Sequence, residues 1–230
     1  MNFTAVRDAV KQADLFRYKG KIEKIIGMTI EASGPTANIG DVCRIYRKNE
    51  NGKADASYIY GEVVGFNNGK VMLMPYTDIE GIGPGSIVDN TGRQLQVDVG
   101  EALVGRIINA IGEPIDGGPP INTTDRYSIA GEPVNPLTRP RIDDIIPFGV
   151  KAIDGLLTIG RGQRMGIFAG SGVGKSTLLG MIAREVQADI NVIALVGERG
   201  REVLEFVQKD LGPEGMRRSV LVVATSDQPA

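Results

Sequence analysis

Hydrophobic and polar positions change their rhythm along this chain. Over residues 2–16, Phe3, Val6, Val10 and Ala13 recur at helical spacing, with Arg7, Asp8, Lys11 and Asp14 on the other faces. That pattern predicts an amphipathic helix, which either packs on its own domain or docks a partner. From Tyr18 to about Val97 short β-rich runs take over, at Lys19–Ile26, Val42–Arg47, Tyr58–Phe66, Lys70–Pro75 and Ser86–Asp89. Gly34-Pro35, Asn51-Gly52, Asn67-Asn68-Gly69 and Gly81–Gly85 punctuate them. Asn68-Gly69, between Val63-Val64 and Val71-Met72-Leu73, is a hairpin signal. Short strands with no helical pattern between them predict a small β-barrel.

Residues 98–160 read as a connector. Gly112-Glu-Pro114, Gly117-Gly-Pro-Pro120 and the span Pro133 to Pro140 mark extended chain full of turns. Long loops of this kind are usually functional or pinned at an interface. From Arg164 onward strand and helix patterns alternate. Met165–Ala169 reads as a short buried strand and Ser176–Arg184 as a helix. Ile190–Val196 and Ser219–Ala224 are continuous apolar runs, as expected of parallel strands buried on both faces. Glu202–Lys209 is a helix ending near Gly212-Pro213. The expected fold class is α/β, an N-terminal β-barrel followed by a doubly wound nucleotide-type domain with its ligand loops at the carboxyl ends of the strands. The expected segments are a helix over 1–17, a barrel over 18–97 and the α/β domain over 98–230.

Composition adds bounds. The 230 residues carry a net charge of −2, which gives no sign of generic nucleic-acid binding. Cys43 is the single cysteine, so no internal disulfide forms, in keeping with a reducing cytosol. Cys43 itself reads as a small, half-buried strand residue. The absence of histidine removes His-based catalysis and His-ligated metal. Charges interrupt the N-terminus, and the longest uncharged stretch, Met165 to Gly174, is about half of what a membrane helix needs. A soluble chain is expected, with surface association to a membrane left open.

The chemistry concentrates in Gly166-Ile-Phe-Ala-Gly-Ser-Gly-Val-Gly-Lys-Ser-Thr177. Gly170, Gly172 and Gly174 let the backbone curl so that successive N–H groups, with Ser171 and Val173 between them, face one concavity. A helix then begins at Ser176-Thr177, and its N-terminus favours anions. Lys175 would reach the β- and γ-phosphates of ATP, and the Ser176 hydroxyl would ligate Mg²⁺. The usual pattern opens with glycine where this chain has Ala169, which is small enough for the turn.

A second constellation follows about 22 residues after Lys175. Gly197-Glu-Arg-Gly-Arg-Glu202 comes after a strand and so shares the sheet edge of the phosphate loop. A carboxylate there can polarise the water that attacks the γ-phosphate, and Glu198 is the candidate. Arg199 and Arg201 could steady the triphosphate or Glu198. A solvated loop capping the next helix is the plainer alternative. Asp227 follows the strand Val220–Ala224, but Thr225-Ser226 intervene, so it ranks below a plain surface role as a Mg²⁺-organising acid.

Several runs carry a family likeness. They are Gly105-Arg106 with Gly112-Glu-Pro-Ile-Asp-Gly117, Pro147-Phe-Gly-Val-Lys-Ala-Ile-Asp-Gly155, Gly160-Arg-Gly-Gln-Arg164, the phosphate loop, Gly197-Glu-Arg-Gly-Arg-Glu-Val203 and Ala224-Thr-Ser-Asp-Gln-Pro-Ala230. From about residue 18 to the end the chain resembles the ATPases of the rotary ATP synthase and type III export superfamily, the flagellum-specific export ATPases above all. The resemblance implies a barrel, a RecA-like ATPase domain and a C-terminal helical domain. It implies a cytoplasmic homohexamer at the inner face of the inner membrane, with ATP sites between subunits, serving an export gate, its chaperones and export substrates. It implies that residues 2–16 engage a stator-like regulator and touch acidic lipids. By position it makes Lys175 and Ser176 the phosphate and Mg²⁺ ligands, Glu198 the catalytic carboxylate and Arg199 its paired arginine. Family members are much longer. The Walker B strand with its Asp, the trans-acting arginine finger and the helical domain would therefore lie beyond Ala230, and little or no ATPase activity is expected of these residues alone.

Other readings stay open: a virulence-type secretion ATPase, a non-catalytic nucleotide-binding subunit, or an RNA-translocating hexameric ATPase. Glu198 argues against the second. The third needs a basic, aromatic face on the barrel, and residues 18–97 show no dense basic cluster.

Overall fold

The computed structural model describes residues 18–49, 54–131, 133–170 and 172–226. The helix expected over 1–17 and the candidate Asp227 lie outside them. The chain divides into two compact units, the boundary falling after Leu95.

The first unit is a closed barrel. Its strands are β1 (Gly20–Ile26), β2 (Thr29–Ala32), β3 (Asp41–Lys48), β4 (Ala54–Asn67), β5 (Lys70–Pro75) and β6 (Ile87–Gln94). Their order around the barrel is β1-β2-β5-β4-β3-β6, closing where β6 pairs with β1. All the pairings are antiparallel. Asn68 (φ 49°) and Gly69 (φ 74°) form the two-residue turn between β4 and β5. Positive φ at both central residues is what lets such a turn match the strand twist. Alternate residues fill the interior: Ile22, Ile30, Ala32, Cys43, Ile45, Ile59, Val63, Val71, Leu73 and Val88 form one core. Cys43 is fully buried rather than half-buried, and burial pushes its thiol up to about 12.

The barrel closes tightly at one point. A Cβ on Gly20 would lie 2.0 Å from the Gly34 carbonyl oxygen and 2.6 Å from Pro35 N. Only a residue without a side chain lets β1 pass this loop.

The second unit begins with β7 (Gln96–Val99), which pairs antiparallel with β9 (Asp125–Ser128). Between them, β8 (Ile107–Asn109) joins the main sheet. That sheet is parallel, in the order β10 (Asn191–Glu198), β11 (Ser219–Thr225), β8. The helices are α1 (Lys151–Leu156), α2 (Lys175–Glu185), α3 (Gly200–Glu205), a π-helical turn over Phe206–Leu211 that continues α3, and α4 (Gly212–Met216). Ala183, Ile193, Leu195, Phe206, Leu211, Leu221 and Val223 pack as its core.

Two sequence expectations fail here. Residues 165–169 form no strand and belong to no sheet, and Phe168 is 97% exposed. A strand is stable only when a neighbour takes up its backbone bonds, and no described strand lies beside this one. The run Ile190–Val196 is buried on one face only: Ile193 and Leu195 face the core, whereas Val192 and Val196 are 72% and 70% exposed. β11, flanked on both sides, has the apolar, largely buried character expected of both. Among the described residues no helix is long and apolar enough to cross a membrane.

Candidate functional site

The phosphate loop runs from the segment 165–169 into α2. Gly172 (φ 75°) and Gly174 (φ 96°) both occupy left-handed backbone, and Gly174 caps α2. No other residue takes these conformations without strain. The Leu178 N–H donates to the Gly174 carbonyl at 2.9 Å, which starts the helix and sets Lys175 and Ser176 in its first turn.

Glu198 ends β10. The pairing of β10 with β11 slips between Val196 and Glu198, where Gly197 has φ 73°. This bulge re-aims the end of the strand. The Ser226 N–H then donates to the Glu198 carbonyl at 3.0 Å and fixes the turn. The two elements meet at their tips: Lys175 Nζ lies 3.8 Å from Glu198 Oε1, with side chains 53% and 31% exposed. A partly hydrated pair of this kind is weak and readily exchanged.

Gly170, Gly172, Gly174, Lys175, Ser176, Thr177, Glu198 and Glu202 line one open cleft of about 300 Å³. A second hollow of about 390 Å³ shares Lys175, Ser176, Glu198 and Glu202 and continues over Leu179, Val203 and Phe206. The phosphate loop and the Glu198 constellation therefore share one cavity. Val173 is exposed and outside the lining, and Ser171 is not among the described residues. Arg199 caps α3, and its guanidinium lies 3.7 Å from Glu202 Oε1, directed along the helix.

Glu202 escaped the sequence reading. Its position, three residues after Arg199 in the first turn of the helix that follows β10, was the available signal, because that separation brings side chains together at a helix start. Ser176, Glu198 and Glu202 are oxygen donors, the kind Mg²⁺ takes alongside phosphate oxygens.

Comparison with known proteins fits this geometry. The nucleotide-binding domain model of the ATP synthase alpha/beta family matches residues 149–230, and that family's beta-barrel domain model matches 22–92. Together the two matches, over a closed barrel and a phosphate-loop unit with a parallel sheet, define a nucleotide-binding protein of the ATP synthase alpha/beta type. More narrowly, the chain is a homologue of the flagellum-specific ATP synthases and of the type 3 secretion system ATPases. It is 52% identical to the flagellum-specific ATP synthase of Bacillus subtilis over 230 residues, all of this chain and 52% of that protein. It is 43% identical to the type 3 secretion system ATPase of Xanthomonas euvesicatoria, over 92% of this chain and 47% of that one. The assembled ATPase EscN of the enteropathogenic E. coli type III secretion system superposes with a TM-score of 0.78 at 45% identity, covering 91% of this chain and 49% of EscN. EscN has also been solved in complex with its central stalk EscO. The chain thus spans about half the length of the relatives it matches.

Proposed function

We propose that these residues form half of the hydrolytic site of an ATPase that drives protein export through the flagellar type III apparatus. The observation that carries this reading is the meeting of Lys175 and Glu198 across one cleft, 3.8 Å apart. Lys175, the loop N–H groups and the α2 N-terminus would hold the β- and γ-phosphates of ATP. Ser176 would hold Mg²⁺, which neutralises phosphate charge. On nucleotide entry Lys175 would exchange Glu198 for phosphate. Glu198 would then be free to accept a proton from, and orient, the attacking water. Arg199 would act beside it. The identity to flagellum-specific ATP synthases supports the flagellar assignment over the virulence one. EscN, solved as an assembled ATPase and with its central stalk, supports an assembled form for this protein too; the family resemblance further implies a cytoplasmic ring at the inner membrane face, with 2–16 as the regulator-docking segment.

Binding and hydrolysis separate the roles. Lys175→Ala is expected to weaken binding of a fluorescent ATP analogue to this chain by at least about tenfold, the scale of a lost charge-assisted contact. Glu198→Gln in the full-length protein is expected to bind nucleotide normally and to hydrolyse it at least about a hundredfold more slowly. Hydrolysis at the wild-type rate in Glu198→Gln would sink the assignment.

A further inference from the structure

Lys175 and Glu198 stand on different elements, so their separation depends on what holds α2 against the helix that follows Glu198. The two approach closely at Gly180. A Cβ there would lie 2.6 Å from the Asp210 carbonyl oxygen, 2.7 Å from its carbonyl carbon and 2.8 Å from its Cβ. Backbone atoms cannot swing aside as a flexible side chain could. Glycine inside a helix costs about 1 kcal/mol relative to alanine, so local propensity does not account for Gly180. Asp210 belongs to the π-helical turn, an irregularity that recurs near functional sites. Phe206 and Leu211 of that turn are buried in the same core as Ala183 of α2.

The far end of α2 is also fixed. The Arg218 guanidinium donates to the carbonyls of Ala183 (3.0 Å), Arg184 and Ala188 (3.3 Å). These include carbonyls that the end of a helix leaves unpaired. α2 is therefore a rod held at its middle and its C-terminus, with Lys175 at its free tip.

We propose that the close approach of Gly180 to Asp210 is a positioning contact, setting the distance from Lys175 to Glu198 and so the place of the γ-phosphate relative to the carboxylate. The proposal rests on the hydrolytic reading of the cleft. Any side chain at position 180 must first move from 2.6 Å to the ordinary contact distance of 3.4 Å or more. Lys175 lies five residues away, about 7.5 Å along the rod, so the displacement reaches it as a rigid-body shift. A misplacement on the order of 1 Å at a reacting centre costs about a hundredfold in rate. The phosphate loop moves with α2 as one body and keeps its own geometry, so nucleotide binding is kept while the γ-phosphate shifts relative to Glu198.

Steady-state ATP hydrolysis by the full-length protein tests this. Gly180→Ala is expected to lower kcat by about ten- to a hundredfold while KM stays within about threefold. Gly215→Ala is the control. Its Cβ would meet the flexible Leu211 side chain at 2.6 Å, so it is expected to lower Tm with kcat within about threefold of wild type. A kcat for Gly180→Ala within that same range overturns the proposal, as does a fall that Gly215→Ala shares in step with lost stability. If Gly180→Ala fails to fold, Arg218→Lys loosens the other fixed point without a clash. It should reduce kcat at constant KM, and an unchanged kcat there overturns the proposal equally. Glu198→Gln, run in parallel, tells the two levels apart. Active Glu198→Gln removes the hydrolytic reading and the proposal with it, whereas inactive Glu198→Gln beside a normal Gly180→Ala removes the proposal alone.

Discussion

Asp116 shows how much one side chain can organise. Its carboxylate accepts from Arg106 Nε at 2.6 Å and Nη2 at 2.8 Å, and from the N–H groups of Ile107 and Gly118 at 3.1 and 3.0 Å. Arg106 donates further to the Pro119 carbonyl. The carboxylate thus anchors the loop beyond β8, and the two side chains are each 16% exposed although Asp116 as a whole lies at the surface. The Arg106 hydrogen bonds hold its pKa well below the ordinary carboxylate range. A depressed folded-state pKa means that the contribution is present above the unfolded value, near pH 4, and is lost as pH falls below it. Asp116→Asn is expected to cost about 1–3 kcal/mol at pH 7, from the charge-assisted bonds removed. The difference from wild type in urea unfolding should shrink as pH drops from 5 towards 2. Equal destabilisation at both pH values would exclude an ionic origin. Residue chemistry of this local kind was legible in sequence. The phosphate-loop glycines, Lys175 and Glu198 could be singled out because their spacing after strands brings them to one sheet edge, and they line one cleft. Glu202 could not be, because a glutamate early in a helix looks the same whether it caps the dipole or faces a cleft.

At the scale of elements, legibility followed the range of the interactions. The β4–β5 hairpin was readable because Asn68-Gly69 and its flanking strands lie within a few residues of one another. β2 was missed, since four residues flanked by Gly27 and Ser33 carry too little pattern. β8 was missed for another reason: Leu221, Val222 and Val223 pair with Ile107, Ile108 and Asn109, over a hundred residues apart. Met165–Ala169 was the opposite error, a strand-like composition with no partner strand among the described residues. The barrel's closure is likewise invisible locally, since nothing around Gly20 announces Gly34. Gly20→Ala is expected to destabilise the barrel by at least about 1–3 kcal/mol, the cost of overpacking against atoms that cannot move. The urea midpoint of strand signal measures this. An unchanged midpoint would mean that the loop yields more readily than its backbone contacts imply.

For the whole molecule, the division after Leu95 has a thermodynamic counterpart. Each unit has its own core, and the cleft lies wholly within the second. A ligand stabilises only what it binds, by RT ln(1 + [L]/Kd), or about 2.7 kcal/mol at a hundredfold excess over Kd. A non-hydrolysable ATP analogue is therefore expected to raise the unfolding temperature of the second unit and leave that of the barrel unchanged. Calorimetry with and without the analogue checks this, and a shift of both transitions together would show that the units melt as one.

One consequence follows from β10. Among the described residues, β11 occupies one side of it and no strand occupies the other. Val192 and Val196 stand proud on its open face. A bare row of amide and carbonyl groups bordered by valine is a template for intermolecular pairing. A lysine in place of Val192 is therefore expected to slow self-association of these residues in concentrated solution, which light scattering against time would read.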